Sequence, residues 1–145
     1  MAARTRRGRS THSQELWTKG EALERAGRPT EAVALYTKAA IAEEDASRPL
    51  RARILWEQLA QKTGASGTVL ERLATVCHRA HLADEAFDYW VAAAARYHAE
   101  TRPSDAERAR AHALALKPKV QAHEPVPLAQ KALAGPAGQR VADLL

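Results

Sequence analysis

Asparagine is absent from this chain, isoleucine occurs only at positions 41 and 54, and there is one cysteine, one methionine and one phenylalanine. Each scarcity excludes something. Aromatics make up 5% of the residues, and the few Val, Ile, Phe and Tyr never alternate with polar residues over a strand's length, so a β-sheet is not expected. The lone Cys77 has no partner for an internal disulfide, which fits a reducing compartment. The longest apolar run, residues 91–95, falls far short of the roughly 20 residues that cross a bilayer. Arg4, Arg6, Arg7 and Arg9 lead into Ser10, Thr11, His12 and Ser13 rather than an apolar stretch, so no secretory signal is expected. A soluble, cytoplasmic protein with no membrane partner follows, and the arginine-over-lysine bias suggests a GC-rich bacterial genome.

What is present is alanine and charge. The 145 residues are 46% hydrophobic, enough for a real core in one domain. The formal net charge of +5 is uneven: from Ser13 onward 18 basic residues face 17 acidic ones, so the excess sits in the first dozen residues. Many small residues with few large ones suit closely packed helices.

Periodicity and punctuation predict six helices. Residues 1–12 are basic and aperiodic and are expected to be a disordered arm. A first helix begins near Ser13 with Leu16, Gly20, Leu23 and Ala26 on one face, and Gly27-Arg28-Pro29 ends it. Thr30 is expected to cap a second helix burying Ala32, Leu35, Tyr36, Ala39 and Ala40. A third spans about residues 50–62 with Leu50, Ile54, Leu55 and Leu59 as its stripe, closed by Gly64. Thr68 is expected to cap a fourth that buries Leu70, Leu73, Ala74 and Cys77. A fifth, about 84–99, turns Ala86, Phe87, Trp90, Ala93 and Ala94 inward, and Pro103-Ser104-Asp105 opens a sixth with Ala106, Ala109, Ala113 and Leu116. Pro118, Pro125, Pro127 and Pro136 then break the pattern, so residues 117–145 are expected to form an extended tail with short helical pieces at most. The folded domain is thus placed at residues 13–116.

One spacing occurs twice. Leu16, Gly20 and Leu23 precede Ala32, Tyr36 and Ala39; Leu70, Leu73, Ala74 and Cys77 precede Ala86, Trp90 and Ala93. Small residues meet where two antiparallel helices touch, and an aromatic fills the space beside them. This pattern resembles the tetratricopeptide repeat (TPR), W-x2-L-G-x2-Y followed by A-x3-F and P. The resemblance covers about residues 13–100 and implies an all-α stack of antiparallel hairpins, a TPR-like α-solenoid of about six helices. It departs from the family in two ways. Leu16 stands at the family's tryptophan position, with Trp17 one residue later. The two matches are also 54 residues apart, against a family period of about 34: either helices four and five form the second hairpin with helix three left between, or helix three pairs with four and five with six, Leu82, Ala86 and Tyr89 then opening a fresh repeat.

Proteins of this family are interaction scaffolds, and the resemblance implies binding of a protein or peptide segment on a concave face. Trp17 at the stripe's edge would lie in that groove with Glu21, Glu24 and Arg25, joined by Glu71, Thr75, His78 and Arg79 from the fourth helix. The alternative is that Trp17 folds over its own hairpin. The family's clamp for acidic C-termini uses asparagine, which this chain lacks. Cys77, His78 and His81 form a C-H-x2-H run, but without a second ligand pair, so no metal or other cofactor is expected. No nucleophile–base pair or phosphate-binding glycine loop is present, and an enzyme is not expected. Arg4, Arg6, Arg7 and Arg9 offer a nucleic-acid contact as an alternative function. Another is self-assembly, with the apolar residues of 125–128 and of Val141, Leu144 and Leu145 docking in cis or in trans.

Overall fold

The structure is a computed structural model that describes residues 11–145. It contains eight α-helices and no strand among the described residues. They are α1 (His12–Arg25), α2 (Pro29–Asp45), α3 (Pro49–Thr63), α4 (Gly67–Arg79), α5 (Ala83–Ala99), α6 (Pro103–Leu116), α7 (Pro127–Leu133) and α8 (Pro136–Leu144), with a 3-10 turn at Lys117–Lys119. The all-α expectation holds. The arginine-rich segment, expected as a disordered arm, lies outside the described residues apart from Thr11 and His12. Thr11 caps α1 through a reciprocal pair of hydrogen bonds with Gln14.

Four helix ends use one turn. A residue with positive φ follows α1, α2, α4 and α5: Gly27 (77°), Ser47 (58°), His81 (62°) and Thr101 (55°). The next amide then reaches back along the helix, Arg28 to the Leu23 carbonyl, Arg48 to Glu43, Leu82 to Cys77 and Arg102 to Tyr97, at 2.8–3.0 Å. This is the Schellman arrangement, which satisfies carbonyls that the helix itself leaves open. In three of the four turns a proline follows as the first residue of the next helix, where its missing N–H costs nothing. The arginine of each X-Arg-Pro turn then pairs with a nearby carboxylate: Arg28 with Glu31, Arg48 with Glu43 and Arg102 with Asp105.

These turns recur at one interval. Pro29 and Ala83 open α2 and α5, and Pro49 and Pro103 open α3 and α6, each pair 54 residues apart. The positive-φ residues Gly27 and His81, and Ser47 and Thr101, keep the same interval. A three-helix unit therefore recurs, rather than a helical hairpin of the family's length.

The chain divides within α3 into two compact units, the first ending at Leu55 and the second running from Trp56 to Leu145. In the first, α1 packs on α2. Gly20 is what permits it: a Cβ there would lie 2.7 Å from the Tyr36 ring and 3.3 Å from the Ala32 carbonyl oxygen. Ala32, Tyr36, Ala39 and Ala40 are buried, as the spacing predicted. The Glu43 carboxylate is buried too. It accepts a hydrogen bond from Ser13 Oγ and pairs at 2.8 Å with Arg48 Nε, an ion pair off the angle of a hydrogen bond.

In the second unit α5 is the central element, packed against α4, α6, α7 and α8. Surrounded in this way, Val91 to Ala95 are all buried. Ala74 and Cys77 of α4 and Ala106, Ala109 and Ala113 of α6 supply the facing small surfaces.

Three expectations are corrected. The stripe of α3 is not the one expected: Leu50 and Ile54 are 53% and 49% exposed, whereas Ala52, Trp56, Leu59 and Ala60 are buried. Trp56 carries the largest apolar surface of that helix, so its face is the one turned inward. The caps also differ. Arg28, not Thr30, is the N-cap of α2, because Pro29 already starts the helix. Ser66, not Thr68, caps α4, accepting from the Val69 amide. Finally, residues 117–145 are not an extended tail. Pro127 and Pro136 begin α7 and α8 rather than breaking them, and Ala129 and Val141 are fully buried. Both helices pack on α5.

Candidate functional site

In the second unit the partly exposed faces of α4 and α6 flank a cleft of about 490 Å³ whose floor is Trp90 of α5. The one-turn spacing of Glu71, Thr75 and His78 places all three on the α4 wall. Arg108, His112 and Ala115 line the α6 wall at the same helical interval, and Leu116 with Lys119 closes one end. The His112 ring stacks on the Trp90 indole, centroids 4.3 Å apart and planes 12° from parallel. This gives the cleft an aromatic base with one exposed imidazole edge.

Beside it lies a second hollow of about 280 Å³, sharing Glu71, Thr75 and Arg108 and extending to Thr68, Tyr97 and Arg102. A connected network builds the partition. The Tyr97 hydroxyl donates to Glu71 Oε1 at 2.6 Å, and Arg108 donates to the same oxygen at 2.6 Å and to Asp105 at 2.6 Å. The Arg102 guanidinium lies 4.6 Å above the Tyr97 ring. Burial, then the hydrogen bond to Glu71, pushes the Tyr97 hydroxyl up to about 12. The same two carboxylates raise Arg108 above the ordinary arginine value, and the guanidinium hydrogen bonds hold Asp105 below the usual carboxylate range. Arg108 therefore stays protonated across neutral pH.

The sequence-predicted site residues fall into both units. Trp17, Glu21, Glu24 and Arg25 lie on α1 in the first. Trp17 is half-buried against Tyr36, ring centroids 4.2 Å apart, and Glu24 accepts the Tyr36 hydroxyl at 2.5 Å. Glu21 and Arg25 are exposed. Trp17 thus caps its own hairpin's aromatic. His78 and Arg79 lie on α4 in the second unit, both exposed, and His78 lines the cleft. Arg4, Arg6, Arg7 and Arg9 lie outside the described residues. Cys77 is buried beneath, its thiol 3.8 Å from Glu85, and His81 occupies the positive-φ turn position. Among the described residues no three His, Cys, Asp or Glu side chains gather as a metal site, and no helix is long and apolar enough to cross a membrane.

The sequence singled out neither Arg108 nor His112 on α6, nor Ala115 and Lys119 beyond them. Their signal was available only through the 54-residue recurrence, which makes α6 the counterpart of α3 and so a wall rather than the start of a new hairpin. A scan of protein-family models and searches of curated proteins and of solved structures find no match to this chain.

Proposed function

We propose that this chain is a TPR-like interaction scaffold that holds an extended segment of a protein partner in the cleft between α4 and α6. One observation carries the reading: a 490 Å³ groove with a stacked aromatic floor, walled by side chains of both signs and by the Thr75 hydroxyl. Aromatic floors supply contact area at low entropic cost, and fixed polar walls orient what lies on them. His78, Thr75 and Lys119 on the rim offer hydrogen bonds, while Glu71 and Arg108 are already committed to each other. A segment with one apolar side chain for the Trp90 floor and polar flanks fits this arrangement. The small-residue contacts between antiparallel helices support the family reading, and stacked helical units are generally used as binding surfaces.

A photo-crosslinking amino acid placed at His112 tests this in the source cell. Partner adducts are expected from position 112 and not from exposed Gln130 on α7. With the captured partner purified, His112→Ala is expected to weaken binding at least tenfold while the helical signal is retained. Equal capture from both positions, or unchanged affinity in the folded variant, overturns the assignment.

A further inference from the structure

The segment that leads to the C-terminal helices meets a buried carboxylate on α5. Asp88 is 4% exposed. Both of its oxygens lie 2.9 Å from His123 Nε2, and one of them also accepts the Val126 amide at 3.2 Å. The other ring nitrogen, Nδ1, lies 2.6 Å from the Gln121 carbonyl oxygen. Both nitrogens therefore face acceptors, and each must donate. Only the doubly protonated imidazolium can do so. Asp84, one turn earlier on α5, accepts the Gln121 amide at 3.2 Å and adds a second negative charge near the ring. The connector between Lys119 and Pro127 is thus pinned at three points to two carboxylates of one helix.

This connector leaves the cleft directly. Leu116 and Lys119, which close the end of the groove, stand immediately before the pinned residues. A neighbouring hollow is lined jointly by Asp84, Lys119 and Gln121, so the pin and the rim are continuous. The geometry points to a protonation-dependent latch. His123, seated as an imidazolium on Asp88, holds α7 and α8 against α5 and thereby sets the position of Leu116 and Lys119 at the mouth of the cleft. This inference rests on the reading of the cleft as a binding site and assigns that site's regulation.

The titration directions agree with the geometry. The Gln121 carbonyl, then Asp88, raises His123 above its ordinary value. Burial raises the Asp88 carboxyl, against the opposing pull of His123 and Val126. A raised histidine stabilises the docked state fully below its free value, and that stabilisation is lost as pH rises through the raised one. A carboxyl raised in the docked state binds its proton more tightly there than when undocked, so acidification through Asp88 does not release the helices. The latch is therefore released from above, as pH rises through the His123 midpoint.

Nuclear magnetic resonance on the full chain, with no partner added, tests it. The ring resonances of His123 give its titration, and amide exchange corrected for intrinsic rates gives the protection of α7 and α8. Protection is expected to fall at least tenfold as pH rises through the His123 midpoint, and the Lys119 amide and Leu116 methyl resonances are expected to shift with that midpoint. In His123→Gln, α7 and α8 are expected to be poorly protected at every pH, with α4 to α6 unchanged as proof of folding. Protection that ignores the substitution, or follows another midpoint, overturns the latch. A tail that titrates while Leu116 and Lys119 stay still overturns its coupling to the cleft. Since no ligand enters these readouts, they stand apart from any failure of the cleft to bind a partner.

Discussion

The ring of Tyr97 fills the space that a side chain on Gly67 would need: a Cβ built on Gly67 falls 2.4 Å from Tyr97 Cδ1 and 2.6 Å from Cε1. Gly20 stands in the same relation to Tyr36, at 2.7 and 2.8 Å. In both cases the tyrosine hydroxyl then reaches the glutamate four residues after the glycine, Glu71 and Glu24. Glycine lets the ring settle on the helix, and the carboxylate one turn on fixes its tip.

Gly67→Ala is therefore expected to destabilise the second unit by about 1–3 kcal/mol, the usual cost of overpacking a rigid contact. Urea unfolding followed by circular dichroism measures it. Gly27→Ala is the informative control, because its surroundings are open and its cost comes from its positive φ of 77°.

Alkaline pH attacks both tyrosine contacts. Burial and the hydrogen bonds to Glu24 and Glu71 raise Tyr36 and Tyr97 from 10.0 to about 12. In the unfolded chain the phenols ionise near the ordinary value, whereas in the folded chain they stay protonated. Their contribution is thus fully present below pH 10 and is lost between about 10 and 12. Absorbance of the phenolate should show Tyr36 and Tyr97 ionising late, together with unfolding. Tyr36→Phe should remove one late step and cost about 1 kcal/mol at neutral pH.

Arg48 is expected to matter more than a surface arginine. Its partner Glu43 is nearly fully buried, so Arg48→Ala leaves a carboxylate with Ser13 alone to answer it. The loss should be about 1–3 kcal/mol, since the exposed guanidinium is partly screened by water. Thermal unfolding of Arg48→Ala beside Arg48→Ala/Glu43→Gln checks the cause: the second change should recover most of the loss.

How far all this is legible in the sequence depends on range. The faces of α4, α5 and α6 are visible because Ala, Leu and Cys recur at helical spacing with no rival stripe. On α3 two stripes compete: Leu50, Ile54 and Leu55 run beside Ala52, Trp56 and Ala60, with Leu59 common to both faces. Periodicity alone cannot weigh one tryptophan against several aliphatics, and burial favoured Trp56. In the last thirty residues proline misled, because the same residue that ends a helix also begins one. One wall of the cleft, Glu71, Thr75 and His78, could be read from one helix. Arg108, His112 and the His123–Asp88 pair could not, since they depend on which helices meet, and 35 residues separate the two members of that pair.

The interior of α5 is largely methyl groups, Ala92 to Ala95 among them, facing further alanines on α4 and α6. Burying an alanine forfeits no rotamer freedom, so this core is entropically inexpensive to assemble. It also makes the molecule's tolerance to mutation one-sided. There is little to shave from such positions, so truncation scanning will find them nearly silent. Enlargement will not be silent: Ala93→Leu is expected to cost more than Leu116→Ala by thermal denaturation, the reverse of the order in an aliphatic core. Sequence drift along this helix is therefore confined from above by volume, and the chain will accept glycine or serine there more readily than any larger apolar residue.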